Sequence, residues 1–416
     1  MNSSISSPHL NNNGHSPQQE NAHSGECTIS SFEIDAETIA HRSELYQIWK
    51  TLFENDRSAK IIEHPDYLLL ELEQYLRKNS SLPPAFVLLY QQEGKPIAAA
   101  VLIPKEINTK RAGAFLYTPR LQGYRLAGDR LLGEESVEST QKLFSEIHHI
   151  LQKQKSHFLL IEDLEKESSL REVAQQLQGC QLFSPTGLQE RLRLELPPTL
   201  EEYWKTFSSK RRYNLKRERK ILEKKGAVTL KRIDSVEQVA CFLEDAHQVS
   251  LKSWQTRQLG LRVGTSDADL QTYTFLASAG ALRSYLLYLD NEPIAFMIGH
   301  QYNGVFHYEE VGFDSDYAKF SPGKALLVAG LEDIYSENKP TWFDFGLGDA
   351  DYKRQMSNHH SQSGMLWIVP AGFKNRIVMR WLKTCRAMKC IARNLLQSTG
   401  LFRRLRQIIR RSKGGK

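Results

Sequence analysis

Apolar positions along the chain repeat with period two in some stretches and with period 3.6 in others, and the two kinds of stretch follow one order twice. In the first half, "TISSFEI" (28–34) predicts a strand, and "ELYQIWKTLF" (44–53) and "PDYLLLELEQYL" (65–76) predict helices. Strands follow at "AFVLLYQ", "PIAAAVLI" and "AGAFLYT". A helix over 135–154, strand "HFLLIED", a helix near 168–178 and strand "QERLRLEL" complete the half. The second half repeats this with strand "AVTLKRI", helices over 236–254 and 267–279, and strands "RSYLLYL", "PIAFMIGHQY" and "VFHYEEVGF". A helix over 323–337, strand "WFDFG", a short turn or helix, and strand "MLWIVP" close it. One segment matches letter for letter: Leu88-Leu89-Tyr90, a polar turn and Pro96-Ile97-Ala98 recur as Leu286-Leu287-Tyr288, a turn and Pro293-Ile294-Ala295.

Each half therefore reads β-α-α-β-β-β-α-β-α-β, an antiparallel meander followed by a helical crossover, which predicts an α/β fold with a mixed sheet. That order, with "SSKRRYNLKRERKILEKKG" (208–226), "YAKFSPGKALL" (317–327) and "FDFGLGDADYKRQM" (343–356), resembles the GNAT acyltransferases. Two copies resemble the Fem-type peptidyltransferases and, more closely, the CelD-type acetyltransferases associated with bacterial cellulose and polysaccharide synthesis. The resemblance covers roughly residues 30 to 372 and implies tandem GNAT-like domains over 29–197 and 198–372, joined at "LPPTLEEYW".

Composition adds the flanks. Residues 1–28 are polar and nearly free of apolar side chains, which predicts a disordered tail rather than a secretory signal. Five scattered cysteines form no C-x-x-C pair, a pattern that fits a reducing cytoplasm. Fourteen Lys or Arg and no Asp or Glu fall after Gly372, so the net charge of +7 hides an acidic body with a basic tail. Within 373–416, Ile377, Trp381, Cys385, Met388, Ala392 and Leu395 recur at helical spacing. Leu401, Leu405, Ile408 and Ile409 are interleaved with arginines. Two cationic amphipathic helices predict contact with an anionic membrane surface, with packing of the first helix on the second domain, or nucleic acid for the last, as alternatives.

Candidate chemistry concentrates in the second half. "FSPGKALL" places Ser321 as an N-cap and Pro322 at the first helical position, a helix start suited to an anion. The resemblance implies that Ser321, Gly323 and Lys324 there hold the pyrophosphate of acetyl-CoA or another acyl-CoA. On "VFHYEEVGFD", Glu309 and Glu310 are candidates to deprotonate an acceptor, with His307 as an alternative. A bulge in this strand would turn backbone N–H groups toward a thioester carbonyl. In "WFDFGLGDADYKRQ", Gly346 and Gly348 allow a sharp turn. The resemblance puts Lys353 alone in the active site; Asp349 and Asp344 are candidates to orient it or to bind the acceptor. Arg211, Arg212, Tyr213 and Asn214, in the basic helix, are candidates to hold a phosphate-bearing substrate; the plain alternative is a solvated face. The histidine pairs 148–149 and 359–360 carry no ligand pattern, so no metal is expected.

The function these readings imply is acyl transfer to a sugar, amino acid or envelope precursor, in the cytoplasm or at the inner face of the membrane. An aminoacyl-tRNA or acyl-carrier-protein donor is the alternative within the fold. A non-catalytic membrane- or nucleic-acid-binding module is the alternative outside enzymology.

Overall fold

The computed structural model describes residues 27–398 apart from 42, 79–82, 111 and 116. The polar tail, through residue 26, and the last amphipathic run, 401–409, lie outside the described residues. The strands are β1 (Cys27–Glu33), β2 (Phe86–Gln92), β3 (Lys95–Asn108), β4 (Arg120–Leu126), β5 (Leu132–Gly133), β6 (Leu159–Glu165) and β7 (Cys180–Phe183). They continue with β8 (Gln189–Glu195), β9 (Val228–Ile233), β10 (Ser284–Leu289), β11 (Glu292–Tyr302), β12 (Val305–Phe313), β13 (Trp342–Leu347) and β14 (His359–Pro370).

They form one sheet in the order β1-β2-β3-β4-β6-β14-β8-β13-β12-β11-β10-β9, with β5 on β3 and β7 on β14. Only β4–β6 and β12–β13 run parallel among the described residues. Each half is thus a four-stranded meander, a helical crossover and a fifth, parallel strand. The strand that would come next is exchanged: β8, from the first half of the chain, pairs with β13 of the second. β14, from the end of the second half, pairs with β6 of the first. β8 and β14 then pair with each other and make the sheet continuous.

Helices cover both faces of each half. Glu44–Asn55 and Pro65–Lys78 bury Trp49, Phe53 and Leu68 on one face of the first half, and Val137–Lys153 buries Leu143, Phe144 and Ile147 on the other. In the second half Val236–Lys252 and Asp267–Ser278 cover one face, and Pro322–Ser336 the other, over Phe306, Phe343 and Met297. Each such side chain contributes roughly 1.5–3 kcal/mol by leaving water. The repeat in the letters is also a repeat in geometry: in each half the hairpin bulges at the isoleucine after proline, Ile97 and Ile294, since proline has no N–H for the ladder.

Three readings are corrected. The described residues of "AGAFLYT" form no strand, and β4 is the more polar "RLQGYRL"; Ala112 and Ala114 instead pack beneath the C-terminal helix. His359 and His360 begin β14 rather than lying in a loop. Helix Phe373–Ser398 rests not on the second domain but on the sheet of the first half, burying Met379, Leu382 and Cys385 against Phe158, Phe183 and Trp367, while Ile377 and Met388 face outward.

Candidate active site

The two parallel strands at the centre of the second half stay together only briefly. β12 and β13 pair at Val305–Trp342, Phe306–Phe343 and His307–Asp344, and then part. Just past that point β12 bulges: Ile298 of β11 faces Glu310 and Gly299 faces Tyr308, so Glu309 is the extra residue. Gly299 permits this crowding, because a Cβ there would stand 2.4 Å from Phe306 Cζ and 2.9 Å from the His307 carbonyl oxygen.

A row of polar side chains crosses the sheet at this level. In register, His300 on β11 faces His307 on β12, which faces Asp344 on β13, which faces Arg193 on β8. Directly opposite residues share a face, so these side chains meet. The imidazoles stack with centroids 4.7 Å apart, and His307 Nδ1 lies 4.0 Å from Asp344 Oδ2. Asp344 accepts from Arg191 Nε at 3.0 Å, from Arg191 Nη2, from Arg193 Nε at 3.4 Å, and from the Gly346 N–H at 2.8 Å. Asp344 is thus inside the protein, engaged by the arginines. Burial would push its carboxyl up, but the two arginines outweigh burial and hold it at about 2.

At the outer end of the row, His300 Nδ1 stands 3.1 Å from Glu309 Oε1, a close but oblique polar contact rather than an aligned hydrogen bond. The Glu309 side chain is 44% exposed although its surroundings are protein. Its carboxyl is pushed up by burial and pulled down further by His300, ending below its ordinary value. Burial and the adjacent His300 hold the His307 imidazole well below its ordinary value, hence neutral. Glu310 is engaged elsewhere, accepting from Arg262 Nε at 2.9 Å and from Arg262 Nη2.

The remaining candidates surround this point. Lys353, on the short helix Asp351–Met356, donates to the Phe345 carbonyl at 2.6 Å and the Leu347 carbonyl at 3.1 Å, so its ammonium is held on β13 past the parting. Burial lowers its pKa. Asp349 pairs with Arg354 at 2.6 Å, not with Lys353. Gly346 and Gly348 have φ of 69° and 100°, the left-handed backbone their turn requires. Ser321 precedes helix Pro322–Ser336 in a left-handed conformation and its hydroxyl does not cap the helix, which corrects the side-chain N-cap expected of it. Gly323 brings the helix start close to the end of β12: a Cβ on it would lie 3.2 Å from Phe313.

The basic helix Ser209–Glu223 stands apart from the bulge. Arg212 donates to the Trp204 carbonyl at 3.2 Å and the Phe207 carbonyl at 2.9 Å, closing the preceding helix Leu200–Lys205, and Arg211 stacks 4.2 Å over the Phe207 ring. Tyr213 and Asn214 are exposed. A groove of about 570 Å³ runs between this helix and Pro322–Ser336, floored by Trp204, Leu215 and Val328 and bordered by Arg212, Arg219 and Glu332.

Sequence reasoning missed His300, Arg191, Arg193 and Arg262. A histidine in the otherwise apolar "PIAFMIGHQY" and two arginines in "QERLRLEL" were the available signals. Among the described residues no cluster of three or more His, Cys, Asp or Glu could hold a metal ion.

Residues 209–354 match the family model of the acetyltransferase (GNAT) domain, from the basic helix through β13 to Arg354. No curated protein matches the sequence. A crystal structure of FemX has a TM-score of 0.54 at 12% identity, over 80% of this chain and 97% of that one. A conserved protein of unknown function from Bacteroides thetaiotaomicron gives 0.50 at 10% identity, over 82% and 100%. A tandem GNAT protein from the clavulanic acid biosynthesis pathway gives 0.44 at 10%, over 83% and 99%. The FemX likeness extends over both halves and shows a shared fold. With the domain match, the chain is an acyltransferase with a GNAT-type α/β fold.

Proposed function

We propose that this acyltransferase moves an acyl group, acetyl in the simplest case, from a CoA thioester to an amine or hydroxyl of a sugar, amino acid or cell-envelope precursor. The observation that carries the reading is Glu309: an ionised carboxylate on a bulge, at the parting of two parallel strands, with His300 against it. Glu309 takes the acceptor's proton as the nitrogen or oxygen lone pair adds to the thioester carbonyl carbon. A backbone N–H displaced from the ladder by the bulge is the donor suited to the resulting oxyanion. The C–S bond then breaks, and the sulfur leaves as thiolate and takes up a proton.

The other residues have supporting parts in this scheme. Lys353 places positive charge beside the oxyanion, while Glu310 with Arg262, and Asp349 with Arg354, border the acceptor's approach. Ser321, Gly323 and Lys324 would receive the pyrophosphate at the start of helix Pro322–Ser336. Arg212, which borders the groove, and Arg211, Tyr213 and Asn214 on the adjoining helix surface would meet the acceptor there. Asp344 acts indirectly, by fixing His307 and so the row behind Glu309. The CelD-type letters favour a polysaccharide-building acceptor.

Glu309→Gln is expected to lower kcat by roughly a hundredfold or more while thermal stabilisation by acetyl-CoA persists. His300→Asn should lower kcat less and move the acid limb of the kcat/KM profile to higher pH, since it removes the group that holds the Glu309 carboxyl down. Full activity in Glu309→Gln would sink the assignment. A second reading, an aminoacyl-tRNA donor, is favoured by the exposed basic residues of helix Ser209–Glu223. It requires stabilisation by aminoacyl-tRNA that weakens steeply with salt and none by acetyl-CoA.

A further inference from the structure

Helix Phe373–Ser398 carries seven Lys or Arg and no Asp or Glu, and it has two apolar faces rather than one. The inward face is fully used: Met379, Leu382 and Cys385 fill the space over Phe158 and Trp367, and Arg386 Nη1 donates to the Ser184 carbonyl. On the opposite side, a rotation of about 100° per residue brings Phe373, Ile377, Thr384, Met388 and Ile391 into one stripe roughly 60° wide. All four of its large apolar side chains are exposed, Phe373 by 79%. Trp381 borders the stripe and donates Nε1–H to the backbone carbonyl of Tyr117, an exposed residue, at 3.0 Å. On the other border, Arg376, Arg380 and Lys383 line a groove against Gln181 of β7.

We propose that this outward stripe is a membrane-docking surface, seated on anionic phospholipid with Phe373, Ile377, Met388 and Ile391 among the acyl chains and Arg376, Arg380 and Lys383 on headgroup phosphates. Apolar side chains flanked by cations, with Trp at the margin, match the layered chemistry of a bilayer interface. A second copy is the wrong occupant, because two such helices face to face would bring cations together without a single carboxylate from either helix. A nucleic-acid backbone would use the cations but leave the apolar stripe in water. The proposal is independent of the acyl-transfer reading and extends it by placing the enzyme beside a lipid-borne acceptor.

The test is co-sedimentation of the full chain with phosphatidylcholine vesicles, with and without phosphatidylglycerol. Binding is expected only with phosphatidylglycerol. The pair Arg376→Glu and Arg380→Glu should reduce partitioning by at least about thirtyfold, and the pair Phe373→Ser and Ile377→Ser should cause a comparable loss, with melting temperatures unchanged. Should either pair unfold the protein, the other decides. Vesicle binding that survives both pairs, absence of binding, or equal binding to neutral vesicles overturns the proposal. So does a dimer in sedimentation velocity that Ile377→Ser dissolves, or a duplex-DNA complex lost only with the charge reversal.

Discussion

Asp344 and Glu63 are both carboxylates sealed from water, and pH acts on them in opposite directions. Asp344 has strong partners and a carboxyl held at about 2. Its contribution is present above the ordinary aspartate value and is lost as pH falls from about 4 toward 2, a difference of roughly 2 kcal/mol. Glu63 has one oxygen on the Lys60 N–H at 2.9 Å and the other, Oε1, without a partner, and burial pushes its carboxyl up to about 7. Ionising it costs stability as pH rises from about 4.5 to 7, so Glu63→Gln is expected to raise unfolding free energy at pH 8 by up to about 3 kcal/mol. Asp344→Asn should cost about 3–5 kcal/mol at neutral pH by leaving the buried Arg191 with only the Asp163 carboxylate, 4.0 Å away, and should abolish the acid slope. Urea titrations across pH measure both. Glu309 was legible as a candidate because a carboxylate pair on a meander strand stands out. Its partner His300 was not, because the contact depends on a one-residue bulge that alternation cannot reveal.

The basic helix, by contrast, shows how an element can serve two ends at once. Arg212 fastens the joint between Leu200–Lys205 and Ser209–Glu223 through two carbonyls. Arg212→Ala is expected to cost about 1.5–3 kcal/mol and lower the melting temperature by several degrees. Tyr213→Ala, at an exposed position, should leave it within about 0.5 kcal/mol of wild type and change only KM if the exposed face of this helix holds substrate. Calorimetry beside kinetics separates the two. At this scale most strands were readable from alternation, since a half-buried strand writes its period into the letters. β4 was not, because Arg120, Gln122 and Arg125 interrupt it, and Arg125 is buried in a pair with Glu71 that only the tertiary structure supplies.

On the scale of the whole molecule the duplication was legible and the exchange of β8 and β14 was not. Nothing local distinguishes a strand that pairs within its own half from one that crosses. The crossing makes Arg191 and Arg193, from the first half of the chain, the partners of Asp344 in the second. Separately expressed fragments 27–197 and 198–398 are therefore expected to be insoluble or oligomeric alone and to co-purify when produced together. Size-exclusion chromatography of each fragment and of the pair reads this directly; a monomeric, cooperatively melting first fragment would refute it.

The same crossing sets an order of events on the ribosome. β6 ends at Glu165 and its neighbour β14 begins at His359. At 5–20 residues per second, the roughly 190 residues between them take about 10 to 40 s to synthesise. Through that interval the growing chain holds a nearly finished half-sheet with an open edge, and the last strand made is the one that closes the first domain begun.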